Sequence, residues 1–217
     1  MSVQERKERE RARRHRLIVA TARELAESQG WDAVTTRRLA ERIEYSQPVL
    51  YSHFRGKREI VGAVALEGFA ELAAAMRAAV GGGTGAGPGD GPGPGPGDDS
   101  GAGQGAGPGG RDRARVAALA QAYIDFAGRN PALYDAMFLL DSGLAFADEA
   151  TPPPLREGFQ ALLDTLTGVS GDAEPGLFTE VFWSCLHGLV TLTRAGRLPP
   201  GDASRRLDLL VDRFTRA

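Results

Sequence analysis

The chain has 217 residues, 42% apolar and 25% charged with a formal net charge of -2, the ordinary composition of a soluble protein of one or two domains. No apolar run approaches the roughly 18 residues of a membrane span, the amino terminus is a mixed-charge arm without a secretory core, and the lone Cys185 supports neither an internal disulfide nor a cysteine metal site. The expectation is a cytoplasmic protein with no membrane partner, no metal and no cofactor.

The small net charge hides an asymmetry. Through Arg58 there are 14 Lys or Arg against 8 Asp or Glu, whereas the remainder carries 12 against 20. A basic head on an acidic body fits a polyanion-binding module attached to something else. From Glu5 to Arg16 acidic and basic residues alternate, the pattern of a solvated charge run.

The first predicted helix runs from about Arg14 to Gln29, with Ile18, Ala22, Leu25 and Ala26 as its apolar stripe and Gly30 placed for a left-handed cap. Trp31 and Val34 are expected to tuck beneath it. Thr35 is a good N-cap for a second helix with Leu39, Ala40 and Ile43 inward. Ser46 is the expected cap of a third, with Pro48 in its first turn, where a missing N–H matters little. In that helix Leu50 and Phe54 face the core, leaving Gln47, Val49, Tyr51, Ser52 and His53 for other partners, and Gly56 ends it. A longer helix then starts at Lys57. Two short helices meeting at a tight joint make a helix-turn-helix.

The run from the Gly30-Trp31 end of the first helix, through TTRRLA (35–40), to SQPVLYSHFRGK (46–57), resembles the DNA-binding domain of TetR-family transcriptional regulators over roughly residues 14–80. The joint Ile43-Glu44-Tyr45 departs from the family, which usually has glycine there, and a left-handed Glu44 costs roughly 1 kcal/mol. The resemblance implies contact with double-stranded DNA. Gln47 can pair with an adenine edge and Val49 can pack on a thymine methyl, so these are the expected base readers. Thr36, Arg37, Tyr51, His53 and Lys57 are expected phosphate anchors; Ser46 and Ser52 complete the contact set, Ser52 able to serve either class. Arg13, Arg14 and Arg16 are further candidates for backbone or minor-groove contacts. Tyr51 also reads as a half-buried core ring, and His53 as a cap for a neighbouring helix.

Residues 81–110 hold 16 Gly and 5 Pro in 30 positions, too little apolar surface to offset ordering entropy. They are expected to form a disordered linker spanning about 30 Å root-mean-square. Beyond it the pattern is helical throughout, with Val116, Leu119, Ala120, Tyr123 and Ala127 as one stripe, Asn130-Pro131 as a cap and first-turn pair, and Leu133, Met137 and Leu140 as another. Residues 177–193 are apolar on nearly all sides. Phe178, Val181, Phe182, Cys185, Leu189 and Leu192 form one face there, and Trp183, Leu186 and Val190 a second. With Leu207, Leu210, Val211 and Phe214 of the final helix, the first face is the expected interface of a homodimer.

Trp183, His187 and Gly188 match the Trp-x-x-x-His-Gly signature of one group of TetR-family carboxyl-terminal domains. The resemblance implies a ligand pocket, for which Tyr123, Phe126, Met137, Phe138, Phe159, Trp183 and His187 are the candidates; the same residues equally fit a filled core. An enzyme reading finds little support, because His15, His53 and His187 are the only histidines and no strand flanks a Gly-rich loop. The expected fold is all-α. A helix-turn-helix domain with its arm occupies 1–56, a connecting helix 57–80, the linker 81–110, and an effector-binding and dimerisation domain 111–217. The expected function is a DNA-binding regulator, a repressor released from a palindromic operator by a hydrophobic small molecule; the alternative is a ligand-independent structural DNA binder.

Overall fold

The computed structural model describes residues 2–82 and 107–216; most of the expected linker lies outside them. Its margins are helical, however, since the fourth helix runs through Gly82 and the fifth starts at Pro108. Among the described residues there is no strand. The helices are α1 (Val3–Gln29), α2 (Thr36–Arg42), α3 (Gln47–Tyr51), α4 (Lys57–Gly82), α5 (Pro108–Arg129), α6 (Pro131–Phe138), α7 (Pro153–Leu166), α8 (Pro175–Arg194) and α9 (Ala203–Thr215). None is long and apolar enough to cross a membrane.

The helices form two compact units, and their division does not follow the expected domain boundaries. Unit 1 comprises Met1–Ala73 and Asp125–Phe159; unit 2 comprises Ala74–Ile124 and Gln160–Ala217. The segment 125–159, placed by its sequence with the carboxyl-terminal half, thus packs with the helix-turn-helix.

Unit 1 is built around Ile18, Ala22 and Leu25 of α1, Leu39 of α2, Leu50 of α3 and Val64 of α4, each at most 1% exposed. Helix α1 starts at Val3, eleven residues before its expected beginning. Ser2 and Glu5 form a reciprocal capping box, with Glu5 N–H donating to Ser2 Oγ at 3.1 Å and Ser2 N–H to Glu5 Oε2 at 2.8 Å. Two orphan donors are thereby satisfied, so a segment with no apolar stripe continues as helix. Gly30 ends it at φ 79° and ψ 163°, a positive φ as expected but outside the left-handed helical well. Trp31 follows in a single 3₁₀ turn and donates from Nε1 to the Ala132 carbonyl at 2.7 Å.

Helix α6 is fastened to α1 by polar contacts invisible in the local sequence. Asn130 occupies its N-cap position but makes no side-chain cap, because its amide donates to the Phe126 carbonyl and its Oδ1 accepts from Arg23. Glu27 of α1 does the capping instead, accepting from the N–H groups of Ala132 at 3.1 Å and Leu133 at 2.9 Å. A carboxylate there also complements the positive end of the helix. On its other side α6 packs against α4 at Gly68, where an added Cβ would lie 2.6 Å from Met137 Sδ.

In unit 2 the core is formed by Met76, Leu119, Tyr123, Leu166, Phe182 and Leu186, all fully buried. Phe214 of α9 stacks edge-on against Phe178 and Phe182 of α8, with ring centroids 5.0 Å apart in both cases. Arg113 of α5 pairs with Asp212 of α9 at 2.7 Å. Helix α8 is capped by Glu174, whose carboxylate accepts from the N–H groups of Leu177 and Gly176 and is held below the usual carboxylate range by them.

Candidate nucleic-acid interface

The joint between α2 and α3 sets the angle at which the second helix is presented. Thr35 caps α2 as expected, accepting from Arg38 N–H at 3.2 Å. At the other end the Tyr45 N–H donates to the Ala40 carbonyl at 3.0 Å while Glu44 sits at φ 57°. That is a Schellman termination with the left-handed position filled by glutamate instead of glycine. Ser46 stands at the N-cap of α3, yet its hydroxyl makes no capping bond.

Helix α3 is shorter than expected. It ends at Tyr51, and Ser52 and His53 lie in the turn beyond. The Ser52 hydroxyl donates to the Val49 carbonyl at 2.6 Å and His53 N–H to the Leu50 carbonyl at 2.9 Å, tightening the end before Gly56 is reached. With Leu50 fully buried as the anchor, Gln47 is exposed and Val49 half-buried on the outward side.

The expected phosphate anchors fall into two sets. The Thr36 and Tyr51 hydroxyls lie 3.4 Å apart, Tyr51 being 52% exposed, so the two helices present a pair of hydroxyls together. Arg37 is exposed beside Glu41 at 2.9 Å. Lys57 is exposed at the start of α4, and its ammonium donates to the Trp31 carbonyl, leaving two of its three protons for another partner. His53 is half-buried, 6.4 Å from the His15 ring, and His15 stacks on Phe54 at 4.7 Å. Burial first, then the nearby Arg11 guanidinium, lowers both imidazoles from their ordinary values.

The ligand-pocket candidates do not come together in one unit. Phe126, Met137, Phe138 and Phe159 belong to unit 1, whereas Tyr123, Trp183 and His187 belong to unit 2. Phe138 packs with Phe69 and Tyr134 at centroid distances of 5.2 and 4.7 Å, and Phe126 and Met137 are buried. In unit 2, Trp183 Nε1 donates to the Tyr123 hydroxyl at 3.1 Å, and burial lowers the pKa of His187.

The expected dimer face also needs correction. Phe182, Leu207 and Val211 are no more than 9% exposed within their own chain, and are core residues. Phe178, Leu189, Leu210 and Phe214 are half-buried. Val181, Cys185 and Leu192 do lie outward, joined by Leu177, which sequence reasoning missed because a helix apolar all round gives no inward direction. Leu209 of α9, also missed, is 57% exposed. An added Cβ at Gly188 would meet nothing within 4 Å among the described residues, so no contact among them requires that glycine.

Residues 18–64 match the family described as bacterial regulatory proteins, tetR family, and residues 116–214 match the Tetracyclin repressor-like, C-terminal domain. Among curated proteins, the class C tetracycline repressor of Escherichia coli is 48% identical over 48 residues, and the class G repressor of Vibrio anguillarum 45% over 47. Each of these matches spans 22% of this chain and 22% of the relative. A Rhodococcus protein of unknown function shares the fold at a TM-score of 0.67, with 24% identity over 93% of both chains. A TetR variant from Acinetobacter baumannii, in complex with minocycline, superposes at a TM-score of 0.56, with 18% identity over 91% of this chain and 92% of that one. The chain belongs to the TetR family of bacterial regulatory proteins.

Proposed function

We propose that this chain is a sequence-specific DNA-binding transcriptional regulator, a homodimeric repressor released from a roughly palindromic operator by a hydrophobic small molecule. The observation that carries the reading is the outward side of the two short helices. Gln47 and Val49 are accessible at the start of α3, and the Thr36 and Tyr51 hydroxyls stand side by side next to them. An amide and a methyl-bearing side chain can read adenine and thymine edges, while hydroxyls fix the duplex by its phosphates. The local match to tetracycline repressors supports the DNA-binding half of this reading.

One such head makes too few contacts for operator specificity, and two related by a dyad would place their reading helices about 34–36 Å apart. The exposed apolar residues Leu177, Val181 and Leu192 of α8, with Leu209 of α9, support self-association of unit 2. Release by a ligand requires that it prefer the geometry that does not fit the operator. The minocycline complex of the Acinetobacter relative supports a small-molecule effector in this reading. A second reading, a DNA-binding dimer without effector, draws support from the candidate pocket side chains, since Tyr123 and Met137 are fully packed. Neither reading involves a catalytic step.

Sequencing the genomic DNA that the purified protein retains tests the proposal. The expected result is an enriched, roughly palindromic site, with Gln47→Ala relaxing the preference at one position per half-site and Tyr51→Phe weakening all sequences alike. Recovery of unenriched DNA would refute it.

A further inference from the structure

The amino-terminal turns of α1 extend well beyond the core. Ile18 is the first buried residue of a helix that starts at Val3, so about 22 Å of ordered helix precede it at 1.5 Å per residue. Lys7, Arg11 and Arg14 stand at i, i+4 and i+7, and Ile18 follows at i+11, so the stripe that enters the core is basic outside it. Folding has therefore directed cations toward the side on which the head lies.

What they face there is the end of α3. An open groove of about 620 Å³ is lined by Arg6, Lys7, Glu10, Arg11 and Arg14 on one side and by Ser52 and His53 on the other. Glu10 is engaged with Arg14 at 3.0 Å, and Arg14 also lies over the Tyr45 ring at 5.9 Å. Arg6, Lys7 and Arg11 have no carboxylate partner among the described residues. Three uncompensated cations thus converge on two side chains from the turn that follows the expected base-reading helix.

We infer that this groove is a second phosphate-binding site, in which Arg6, Lys7 and Arg11 hold the sugar-phosphate backbone of the same duplex that α3 reads, outside the bases contacted by Gln47. The inference rests on the reading of the chain as a DNA-binding regulator. Continuity with Ser52 and His53 favours this occupant over a small anion, because a strand lying along the end of α3 runs directly into the groove. The dimensions agree as well. Arg6 to Arg11 covers about 7.5 Å of helix, equal to about two base-pair steps of duplex axis. Burial is the main cause of the lowered His15 and His53 imidazoles, and repulsion from Arg11 adds to it at both, as cations gathered at the groove would. Positive potential gathered in one concavity raises the local concentration of a polyanion. What reads in the sequence as a solvated charge run becomes one wall of an interface.

Full-length protein and the triple variant Arg6→Gln, Lys7→Gln, Arg11→Gln are titrated onto a mixed-sequence 40-base-pair duplex at several KCl concentrations. Glutamine keeps helix propensity close to that of the residues it replaces, and circular dichroism checks that helicity is retained. Each neutralised phosphate contributes about 0.9 to the slope of log affinity against log salt, so the slope is expected to fall by about 2 to 3 per chain, with at least a tenfold loss of affinity at about 0.1 M salt. An unchanged slope in a fully helical variant overturns the inference. So does equal competition by inorganic phosphate at matched ionic strength, which would mark a small-anion site. If the wild-type protein shows no salt-dependent duplex affinity at all, the DNA-binding reading falls and this one with it. If the wild type binds and Gln47→Ala alters its preference while the triple variant behaves as wild type, only the groove assignment is lost.

Discussion

Replacing Glu44 with glycine should stabilise the protein. Glu44 holds φ 57° at the left-handed position of the α2 termination, closed by the bond from Tyr45 to Ala40. An L-residue there costs about 1–2 kcal/mol relative to its relaxed conformation. Glycine removes that cost but raises the entropy of the unfolded chain, an opposing effect of about 0.5–1 kcal/mol. The side chain is exposed and forms no hydrogen bond or ion pair among the described residues, so no contact is lost in exchange. The net effect therefore runs from about zero to a gain of about 1.5 kcal/mol, which for a chain of this length raises Tm by up to about 6 °C. The assay is a thermal melt with a urea titration, both at fixed protein concentration because association shifts apparent stability. Glu44→Ala is the control. It removes the same charge but keeps the strained φ, so any gain from relieving acidic repulsion would appear in both variants. A Tm for Glu44→Gly at or below that of Glu44→Ala would refute the conformational argument.

Further consequences concern the remaining contacts. His15 and His53 have folded-state values below their ordinary ones, so below about pH 6.5 the unfolded chain binds more protons, and the stability they contribute is full above that value and lost as pH falls through the folded-state values. Melts at pH 7.5 and 5.5 should show a smaller acid loss in the His15→Gln, His53→Gln double variant; an equal loss would contradict this. Phe182→Ala, at a fully buried position, should cost about 3–5 kcal/mol in urea titrations. Val181→Glu, at a 49% exposed position, should leave the protomer folded and shift sedimentation to monomer. A dimer that persists in Val181→Glu places the interface elsewhere. Glu27→Ala should cost about 1 kcal/mol through loss of the α6 cap, with Glu27→Gln losing less; equal stability of all three proteins would show the cap to be idle.

Where local chemistry decided the structure, the sequence was legible. Thr35 caps α2 as its side chain predicts, Leu39 and Leu50 are buried as their periodicity requires, and Glu44 has the positive φ that its place after α2 implies. The failures share a physical origin in information the local pattern lacks. Helix α1 begins at Val3 because of a capping box followed by i,i+4 pairs such as Gln4 to Glu8, with no apolar stripe to announce it. Helix α3 stops at Tyr51 because Ser52 and His53 turn back onto its last carbonyls. In α8 the apolar residues surround the axis, so period alone could not separate Phe182, which is buried, from Val181 beside it, which is not. The capping of α6 by Glu27 joins positions 105 and 106 residues apart, beyond the reach of any pattern along the chain.

That last contact bears on how such a protein can be switched. A helix-turn-helix joined to the remainder only by a connecting helix could pivot with little resistance. Here α6 is part of the same unit as the reading head, held by the Glu27 carboxylate, the Trp31 indole and the Arg23 contact with Asn130. Two of these bonds meet α6 on either side of one peptide group, since Trp31 donates to the Ala132 carbonyl while Glu27 accepts from the Leu133 N–H. A rotation of α6 about its axis would strain both bonds together, and a translation along it would lengthen one while compressing the other. Within the proposed function, an effector need not reach α3 to change what it reads. It is enough that the ligand prefer another position of α6, because the bonds from α1 make the head follow or else lose its partners.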